Sequence, residues 1–346
     1  RELYLTQPVF RRFLDRSDAI LAGALRPGLL EVVFGSGGAL LDQTLYAQPA
    51  IVAVELGLAE LWRSWGVEPD AVAGHSIGEY AAACAAGVFD LEDALLLVAE
   101  RARLMQDLPP GGSMAMVPAS SADVRAKLTP AVSIAASNGA RNTVISGPRG
   151  EVDAVLDALE ADCVTARPLR VSHAFHSALM EPMIEPFERA AGRVGFRAPR
   201  IPLMSNVTGE AMERGFVPDA TYWRRHVRET VRFGDELGAL ARMGCGLFLE
   251  LGPSRTLAEI GRRSGVAPEA DWLASIERGK SDWGVMLDAL GTLYVRGCEI
   301  DWNGFDAPYR RRRVALPSYA FERERCWLEQ DEIHGFAERR EGQAWT

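Results

Sequence analysis

The pattern Gly-His-Ser-Ile-Gly at positions 74–78 restricts the possible folds of this chain more than any other feature. A short apolar run, Asp70–Gly74, precedes it and indicates a buried strand, and a helical pattern rich in small residues follows it. Glycines on both sides of a serine let a strand turn sharply into a helix, so that the serine hydroxyl projects from the turn. The pattern therefore predicts a nucleophile elbow in an α/β fold. Ser76 is the predicted nucleophile, and the N–H of Ile77 is the predicted donor to a developing oxyanion.

Apolar periodicity indicates helices over residues 48–65 and 91–106 and strand-like runs over 201–205 and 247–251. Strand, tight turn and helix in that order favour a parallel sheet. These segments therefore predict a large α/β body.

Residues 112–172 show a different order, β-α-β-β-α-β, which matches a ferredoxin-like unit. The predicted strands cover 113–117, 132–136, 142–146 and 164–171, and the predicted helices cover 121–128 and 151–161. We predict a small subdomain over 112–172, inserted in a large subdomain formed by 1–111 and 173–305. Residues 306–346 are predicted to form an extended tail packed on a surface.

Composition excludes several classes of protein. The chain has 38 Lys and Arg against 47 Asp and Glu, a net charge of −9, which disfavours a nucleic-acid binder. No run reaches the roughly 18 uncharged apolar residues that a membrane span needs. Five cysteines form no Cys-x-x-Cys pair, and no zinc motif occurs among the five histidines. We expect a cytoplasmic protein that binds no metal, nucleic acid or membrane.

A nucleophilic serine needs a base. His75 adjoins the serine but should point elsewhere on the turn, which favours a buried, hydrogen-bonded histidine. His226 lies in an amphipathic segment typical of packing, and His334 lies in the polar tail. His173 and His176 follow the predicted small subdomain and remain as candidates, and their spacing alone does not choose between them.

Five segments follow one another along the chain: GHSIGEYAAACAAGVF, AERARLMQ, SNGARNTVISGP, HAFHSALM and FLELGPS. Together they resemble the malonyl-CoA:acyl-carrier-protein transacylase family, and more closely the acyltransferase domain of a type I polyketide synthase. The resemblance covers nearly all of the chain, and LPSYAFERERCWLE is similar to the linker that follows such domains. It implies an α/β-hydrolase-like large subdomain with a parallel sheet and an inserted ferredoxin-like small subdomain.

The resemblance also implies the roles of individual residues. Ser76 matches the acylated nucleophile and His176 the general base, so that His173 belongs to the HAFH specificity motif instead. Arg101 matches the arginine that binds the free carboxylate of a malonyl group, for which a planar bidentate donor is suited.

Other matches are supporting or set specificity. Gln48, His75 and Asn138 match supporting positions near the nucleophile. Met243, by its spacing before LELGP, is expected to supply the backbone carbonyl that orients the base. Phe175, together with Ile77 and His173, resembles the malonyl-selecting pattern, in which a bulky ring fills the space of an α-methyl group.

Domains of this family open with a strand ending in GQGxQ, whose backbone contributes a second oxyanion donor. This sequence opens with RELYLTQPVF, which resembles the stretch after that motif. We therefore expect the first strand of the sheet and the second donor to be absent from the sequence shown.

The resemblance implies transfer of a malonyl unit from malonyl-CoA, through an ester on Ser76, to the phosphopantetheine thiol of an acyl carrier protein. No cofactor is expected to be bound, and a neighbouring ketosynthase is an expected partner in the biosynthesis of a polyketide such as an antibiotic. Two alternatives remain: an α/β-hydrolase-type thioesterase, or an impaired domain that only docks a carrier protein. The thioesterase is disfavoured because no convincing acid lies between the serine and the candidate base.

Overall fold

The computed structural model describes residues 1–312 and 314–323. Residues 1–308 form one unit and residues 309–346 a second. In the second unit the described residues form neither helix nor strand, and its apolar side chains Val314, Leu316, Tyr319 and Phe321 are exposed. The rest of the predicted tail, with His334 and Cys326, lies outside the described residues.

Helices build most of the first unit. The helix Leu91–Gln106 has the predicted limits, and the predicted helix before the elbow runs over Thr44–Arg63, followed by Gly66 in a left-handed conformation. Their apolar faces pack against each other in the main core, which includes Leu56, Trp62 and Leu95. The helices are Glu2–Thr6, Pro8–Leu21, Leu29–Phe34, Thr44–Arg63, Gly78–Ala85, Leu91–Gln106, Ser121–Arg125, Arg149–Ala161, Glu181–Ala191, Ala220–Arg228, Phe233–Arg242, Thr256–Ser264, Asp282–Val295 and Trp302–Asp306, with 3₁₀ turns at Gly38–Asp42 and Ala178–Met180.

Parallel pairing marks the large body. The strand Leu247–Glu250 pairs in parallel with Asp271–Ala274, and the ring of Phe248 stacks on Trp272 with centroids 4.1 Å apart. The predicted strands at 70–74 and 201–205 are reduced to one parallel bridge between Val72 and Leu203. Pro202 has no N–H to donate, so it cannot extend this ladder toward Asp70.

The small subdomain contains a four-stranded antiparallel sheet. Its strands are Gly112–Val117, Ser133–Ser137, Thr143–Pro148 and Arg167–Pro168, and their order across the sheet is second, third, first, fourth. This β-α-β-β-α-β unit is the predicted ferredoxin-like arrangement, although the exact limits 112 and 172 stay a prediction. Two predicted elements were too long. The closing strand 164–171 pairs only at 167–168, at the sheet edge, where Pro168 cannot donate to a ladder, and the helix 121–128 ends at Arg125.

A short parallel contact joins the small sheet to the large body. Val231 donates its N–H to the Ala135 carbonyl at 2.9 Å and accepts from the Ser137 N–H at 2.8 Å. The Thr230 hydroxyl donates to the Ile134 carbonyl at 2.7 Å. The edge strand of the small subdomain thus fixes residues 230–231, next to the site described below.

The described residues contain neither a candidate membrane-spanning helix nor a candidate metal-binding cluster. None of their helices is both long enough and apolar enough to cross a bilayer. No three of their His, Cys, Asp or Glu side chains cluster closely enough to hold a metal ion.

Candidate active site

The turn at 74–78 folds back on itself at very short range. A Cβ atom added to Gly74 would lie 2.2 Å from the carbonyl carbon of Gly78 and from the nitrogen of Glu79, so only glycine fits. A Cβ at Gly78 would instead meet its nearest atom, an oxygen of Glu55, at an ordinary 3.6 Å. Between them Ser76 adopts a left-handed φ of 52°, which non-glycine residues rarely do. The chain therefore makes the predicted elbow, and only its first glycine is sterically required.

The structure brings Ser76 and His176 together. The Ser76 Oγ lies 2.7 Å from the His176 Nε2, and the His176 Nδ1 lies 2.9 Å from the carbonyl oxygen of Glu229. A carbonyl can only accept, so the proton of the neutral ring is on Nδ1 and the Nε2 lone pair faces the serine hydroxyl. This is the arrangement in which an imidazole can take a proton from a serine.

The imidazole of His176 is held in its neutral form. Burial lowers the pKa of His176 well below its usual value, and the nearby His226, Arg101 and His75 lower it further, against a smaller opposing effect of the Glu229 carbonyl. A neutral imidazole at neutral pH is the form that can act as a base.

The prediction for Met243 is wrong. Met243 follows the helix Phe233–Arg242 and its side chain is 47% exposed, whereas the carbonyl that orients His176 belongs to Glu229. A backbone carbonyl has no side-chain signature, so spacing from a motif does not identify it. The segment that carries the Glu229 carbonyl is held by the parallel pairing of Val231 with the small sheet.

Arg101 is a buried charge without a countercharge. Arg101 is 1% exposed. Its Nη1 donates to the Gln48 side-chain oxygen, and its guanidinium lies 5.4 Å from the centroid of the Tyr80 ring. No carboxylate of the described residues forms an ion pair with it, and its buried Nε has no hydrogen-bond partner there. Gln48 is fixed in turn by a contact from its Nε2 to the Met105 sulfur at 3.1 Å. Burying a charge is costly unless it is paired, so this arrangement favours an anionic ligand.

The other predicted residues surround this centre. His75 contacts the Asn138 Oδ1 through Nε2 at 2.8 Å. It therefore has the expected hydrogen-bonded position and takes no part in the contact between Ser76 and His176. The buried His173 faces the Leu108 carbonyl through Nε2 at 3.4 Å. The half-buried Phe175 contacts both the main core and the apolar cluster beneath the small sheet.

The N–H of the residue after the nucleophile is available. Within the part of the chain that the structure describes, the Ile77 N–H donates to no acceptor. It lies at the start of the helix Gly78–Ala85, where partial positive charge favours an anion. This matches the donor position predicted from the elbow.

Sequence analysis missed a buried polar group beneath the elbow. The Asn206 Oδ1 accepts a hydrogen bond from the Ser76 N–H at 2.7 Å, and the carboxylates of Glu79 and Glu236 contact the same asparagine. Only a fold that places residue 206 under residue 76 shows this contact, and no local motif indicates it.

Comparison with known proteins decides the family. A family model described as the acyl transferase domain matches residues 1–298. This chain belongs to that family. The predicted resemblance to acyltransferase domains of type I polyketide synthases is thereby confirmed.

Individual relatives agree with this assignment. The chain is 44% identical over 328 residues to the phenolphthiocerol synthesis polyketide synthase type I Pks15/1 of Mycobacterium marinum, covering 94% of this chain and 16% of that protein. It is 42% identical over 340 residues to the polyketide synthase GfsA of Streptomyces halstedii, covering 95% of this chain and 4% of that protein. The chain thus spans a small part of these relatives.

A solved structure confirms the fold class. The acyltransferase domain from the second module of the salinomycin polyketide synthase superposes with a TM-score of 0.86 at 42% identity. The match covers 92% of this chain and 75% of that one. An α/β-hydrolase-like large subdomain with an inserted ferredoxin-like subdomain is therefore the fold of this acyltransferase domain.

The two glycines of the elbow should respond differently to alanine. Gly74→Ala introduces a backbone overlap and should lower the free energy of unfolding by about 2 kcal/mol or more. Gly78→Ala meets only ordinary contacts and lies in a helix, so it should change stability by less than about 1 kcal/mol. Urea denaturation of both variants measures this, and equal destabilisation would contradict the close contact at Gly74.

The depressed pKa of His176 predicts the pH profile of Ser76. As the pH is lowered, the rate at which phenylmethanesulfonyl fluoride, a neutral serine reagent, modifies Ser76 should stay constant to values below pH 6.5. The rate should fall only at the lower pH at which the His176 ring becomes protonated. Removing the positive charge by Arg101→Ala favours the imidazolium, so the acid limb should move to higher pH. Arg103→Ala, which removes an exposed arginine of the same helix, is the control and should leave the limb in place. An unchanged limb in Arg101→Ala would show that its charge does not reach the base.

Proposed function

We propose that this chain transfers malonyl units from malonyl-CoA to the phosphopantetheine thiol of an acyl carrier protein in polyketide biosynthesis. The observation that carries the proposal is the buried guanidinium of Arg101, unpaired by any carboxylate of the described residues, beside a serine–imidazole pair. Its charge lowers the pKa of His176, which supports a position facing the reaction centre.

The first half-reaction forms an ester. The Ser76 Oγ attacks the thioester carbonyl of malonyl-CoA while His176 Nε2 takes the hydroxyl proton. The Glu229 carbonyl holds the Nδ1–H of the resulting imidazolium, and the Ile77 N–H faces the oxyanion. Collapse of the tetrahedral intermediate breaks the carbon–sulfur bond, and His176 returns the proton to the departing CoA sulfur.

The second half-reaction reverses these steps with a different thiol. The phosphopantetheine thiol of the carrier protein gives its proton to His176 and attacks the ester carbonyl. The bond to Ser76 Oγ breaks, and the imidazolium protonates that oxygen. The balance requires no resident cofactor, since both thiols are parts of substrates. The carrier protein, and a neighbouring ketosynthase that uses the loaded carrier, are the proposed partners.

Recognition of the free carboxylate is assigned to Arg101. A guanidinium offers two parallel N–H donors to a carboxylate, and pairing offsets the cost of burying its charge. Gln48 already occupies Nη1 and so holds the group in one orientation before substrate arrives. Acyl groups without the carboxylate lack this interaction and should be transferred less well.

Selection of malonyl over methylmalonyl is assigned to Phe175. Its rigid ring contacts two apolar clusters and has little room to move when an α-methyl group approaches. One methyl group is worth about 1–3 kcal/mol, or roughly 10- to 200-fold, so discrimination should be incomplete. Ile77 and His173 are proposed to shape the same pocket.

The partner of His176 supports transfer over the alternative thioesterase. In α/β-hydrolases a carboxylate follows the nucleophile and orients the histidine. Here the Nδ1 contact is a backbone carbonyl.

Intact mass measurement after incubation with equal malonyl-CoA and methylmalonyl-CoA tests the proposal. We expect one malonyl group per chain, a smaller methylmalonyl peak, and none of either on Ser76→Ala. Phe175→Ser should raise the ratio of methylmalonyl to malonyl loading, by up to the factor of about a hundred that one methyl group is worth. Rapid loss of the acyl group to water would favour the thioesterase, and an unmodified parent chain would favour the docking domain. Labelling at another residue would refute the assignment of Ser76.

Arg101→Ala tests the carboxylate contact. Leaving a buried carboxylate unpaired costs about 3 kcal/mol or more, so malonyl loading should fall at least about a hundredfold. Acetyl loading from acetyl-CoA should be retained, because it never used the guanidinium. Arg103→Ala, whose exposed side chain pairs with Glu100 and Asp107, should change neither rate. Equal losses of malonyl and acetyl transfer in Arg101→Ala would mean that the arginine is only structural.

A further inference from the structure

The side chain of Asn206 spans the elbow from below. Its Oδ1 accepts from the Ser76 N–H at 2.7 Å, and its Nδ2 donates to the Gly74 carbonyl at 2.6 Å. One amide therefore bonds the peptide groups on either side of His75. These two contacts bracket the point at which the chain turns from the strand toward the helix.

The asparagine is itself held on every side. Its second Nδ2 hydrogen points to Glu236 Oε1 at 2.6 Å, and its backbone N–H donates to Glu79 Oε2 at 2.9 Å. Its carbonyl accepts from the Arg232 N–H at 2.9 Å, and the residue is 2% exposed. An amide flip would turn the oxygen toward the Gly74 carbonyl, which cannot donate, so the contacts select one orientation.

The elbow needs such a restraint. A non-glycine residue in the left-handed region costs about 1–3 kcal/mol and persists only where its surroundings over-determine it. The Ser76 N–H lies before the helix Gly78–Ala85 and has no helical acceptor. The Asn206 oxygen supplies the acceptor in the strained conformation, so relaxing the turn would break this bond.

We propose that Asn206 is a positioning residue for acylation of Ser76. Its amide holds the Ser76 backbone in the left-handed conformation that places Oγ 2.7 Å from His176 Nε2. Asn206 touches no reacting atom and acts only through the serine backbone. The inference deepens the proposed function and rests on it for the natural acyl donor, but it applies to any electrophile that Ser76 attacks.

Two variants separate acceptor from donor. Asn206→Ala removes both bonds to the elbow. Asn206→Asp keeps an oxygen for the Ser76 N–H but replaces the amide donor with an oxygen that faces the Gly74 carbonyl, which can only accept. Adding Glu236→Gln to the aspartate variant supplies an amide that can donate to the new carboxylate. The double variant should therefore recover part of the activity that Asn206→Asp loses.

The reaction rate of Ser76 is measured with two electrophiles on the full chain, by intact mass. Malonyl-CoA reports the proposed reaction. Phenylmethanesulfonyl fluoride is uncharged and does not use Arg101. With it the Oγ–sulfur bond forms, the sulfur–fluorine bond breaks, fluoride leaves and His176 takes the proton. Because small misplacements of reacting groups cost about a hundredfold in rate, Asn206→Ala should slow both reactions by roughly that factor. The KM for malonyl-CoA should stay near that of the parent.

Ser275→Ala is the control for stability. Ser275 is fully buried, accepts from Trp62 Nε1 at 2.9 Å and donates to the Glu250 carbonyl at 3.0 Å. Ser275→Ala therefore loses two hydrogen bonds of a buried side chain, one fewer than Asn206→Ala. The thermal midpoint of Ser275→Ala should fall, as that of Asn206→Ala does. The rates at which Ser76 reacts with malonyl-CoA and with phenylmethanesulfonyl fluoride should stay at their parent values in Ser275→Ala. If Asn206→Ala does not fold, Asn206→Asp and its double variant are compared in the same way.

Three results with the variants would overturn the proposal. The first is parent-like rates in folded Asn206→Ala or Asn206→Asp, the second is a change confined to KM, and the third is an equal loss of rate in Ser275→Ala. A parent chain that reacts with neither electrophile would also overturn it. A parent that reacts with the sulfonyl fluoride but not with malonyl-CoA would refute only the proposed acyl donor. The Asn206 test would then be decided by the sulfonyl fluoride rates.

Discussion

The contact between Gly74 and the first backbone atoms of the following helix is the constraint on which the site depends. Because Gly74 has no Cβ atom, its backbone can lie against the start of the helix. The chain then reverses direction within four residues, with Ser76 in a left-handed conformation. Its hydroxyl then meets a base from a distant part of the chain, His176, which also has a positive φ, of 56°. Strain at both residues is maintained by the well-packed core around them.

In the proposed reaction a single buried charge would connect substrate recognition with reactivity. Arg101 lowers the pKa of His176 and, in the proposed reaction, binds the substrate carboxylate. In the free protein the unpaired guanidinium helps to keep the imidazole neutral. A bound carboxylate would compensate that charge, so the imidazole would become a stronger base when a malonyl group arrives. Substrate binding and activation of the nucleophile would thus be coupled through electrostatics, with no movement of the chain.

The small subdomain helps to position the candidate site although it supplies neither Ser76 nor His176. Its edge strand pairs with Val231 and so fixes the nearby Glu229, whose carbonyl contacts His176 Nδ1. Phe175 packs against the apolar cluster beneath the same sheet. The orientation of the imidazole and the shape of the proposed acyl pocket therefore both depend on how the sheet docks on the large body.

The sequence alone determined the features that depend on neighbours in the chain. These were the elbow at Ser76, the helix Leu91–Gln106 with Arg101, and the β-α-β-β-α-β order, because turns and periodicity are local properties. Choosing His176 over His173 already required a family resemblance, because the distance of each histidine from Ser76 along the chain does not distinguish them. Only the tertiary structure shows that the carbonyl of Glu229, rather than that of Met243, contacts His176 Nδ1 and that Asn206 Oδ1 accepts from the Ser76 N–H. Both are contacts to backbone groups far away in the chain, and every residue carries such groups, so no residue type marks them in advance.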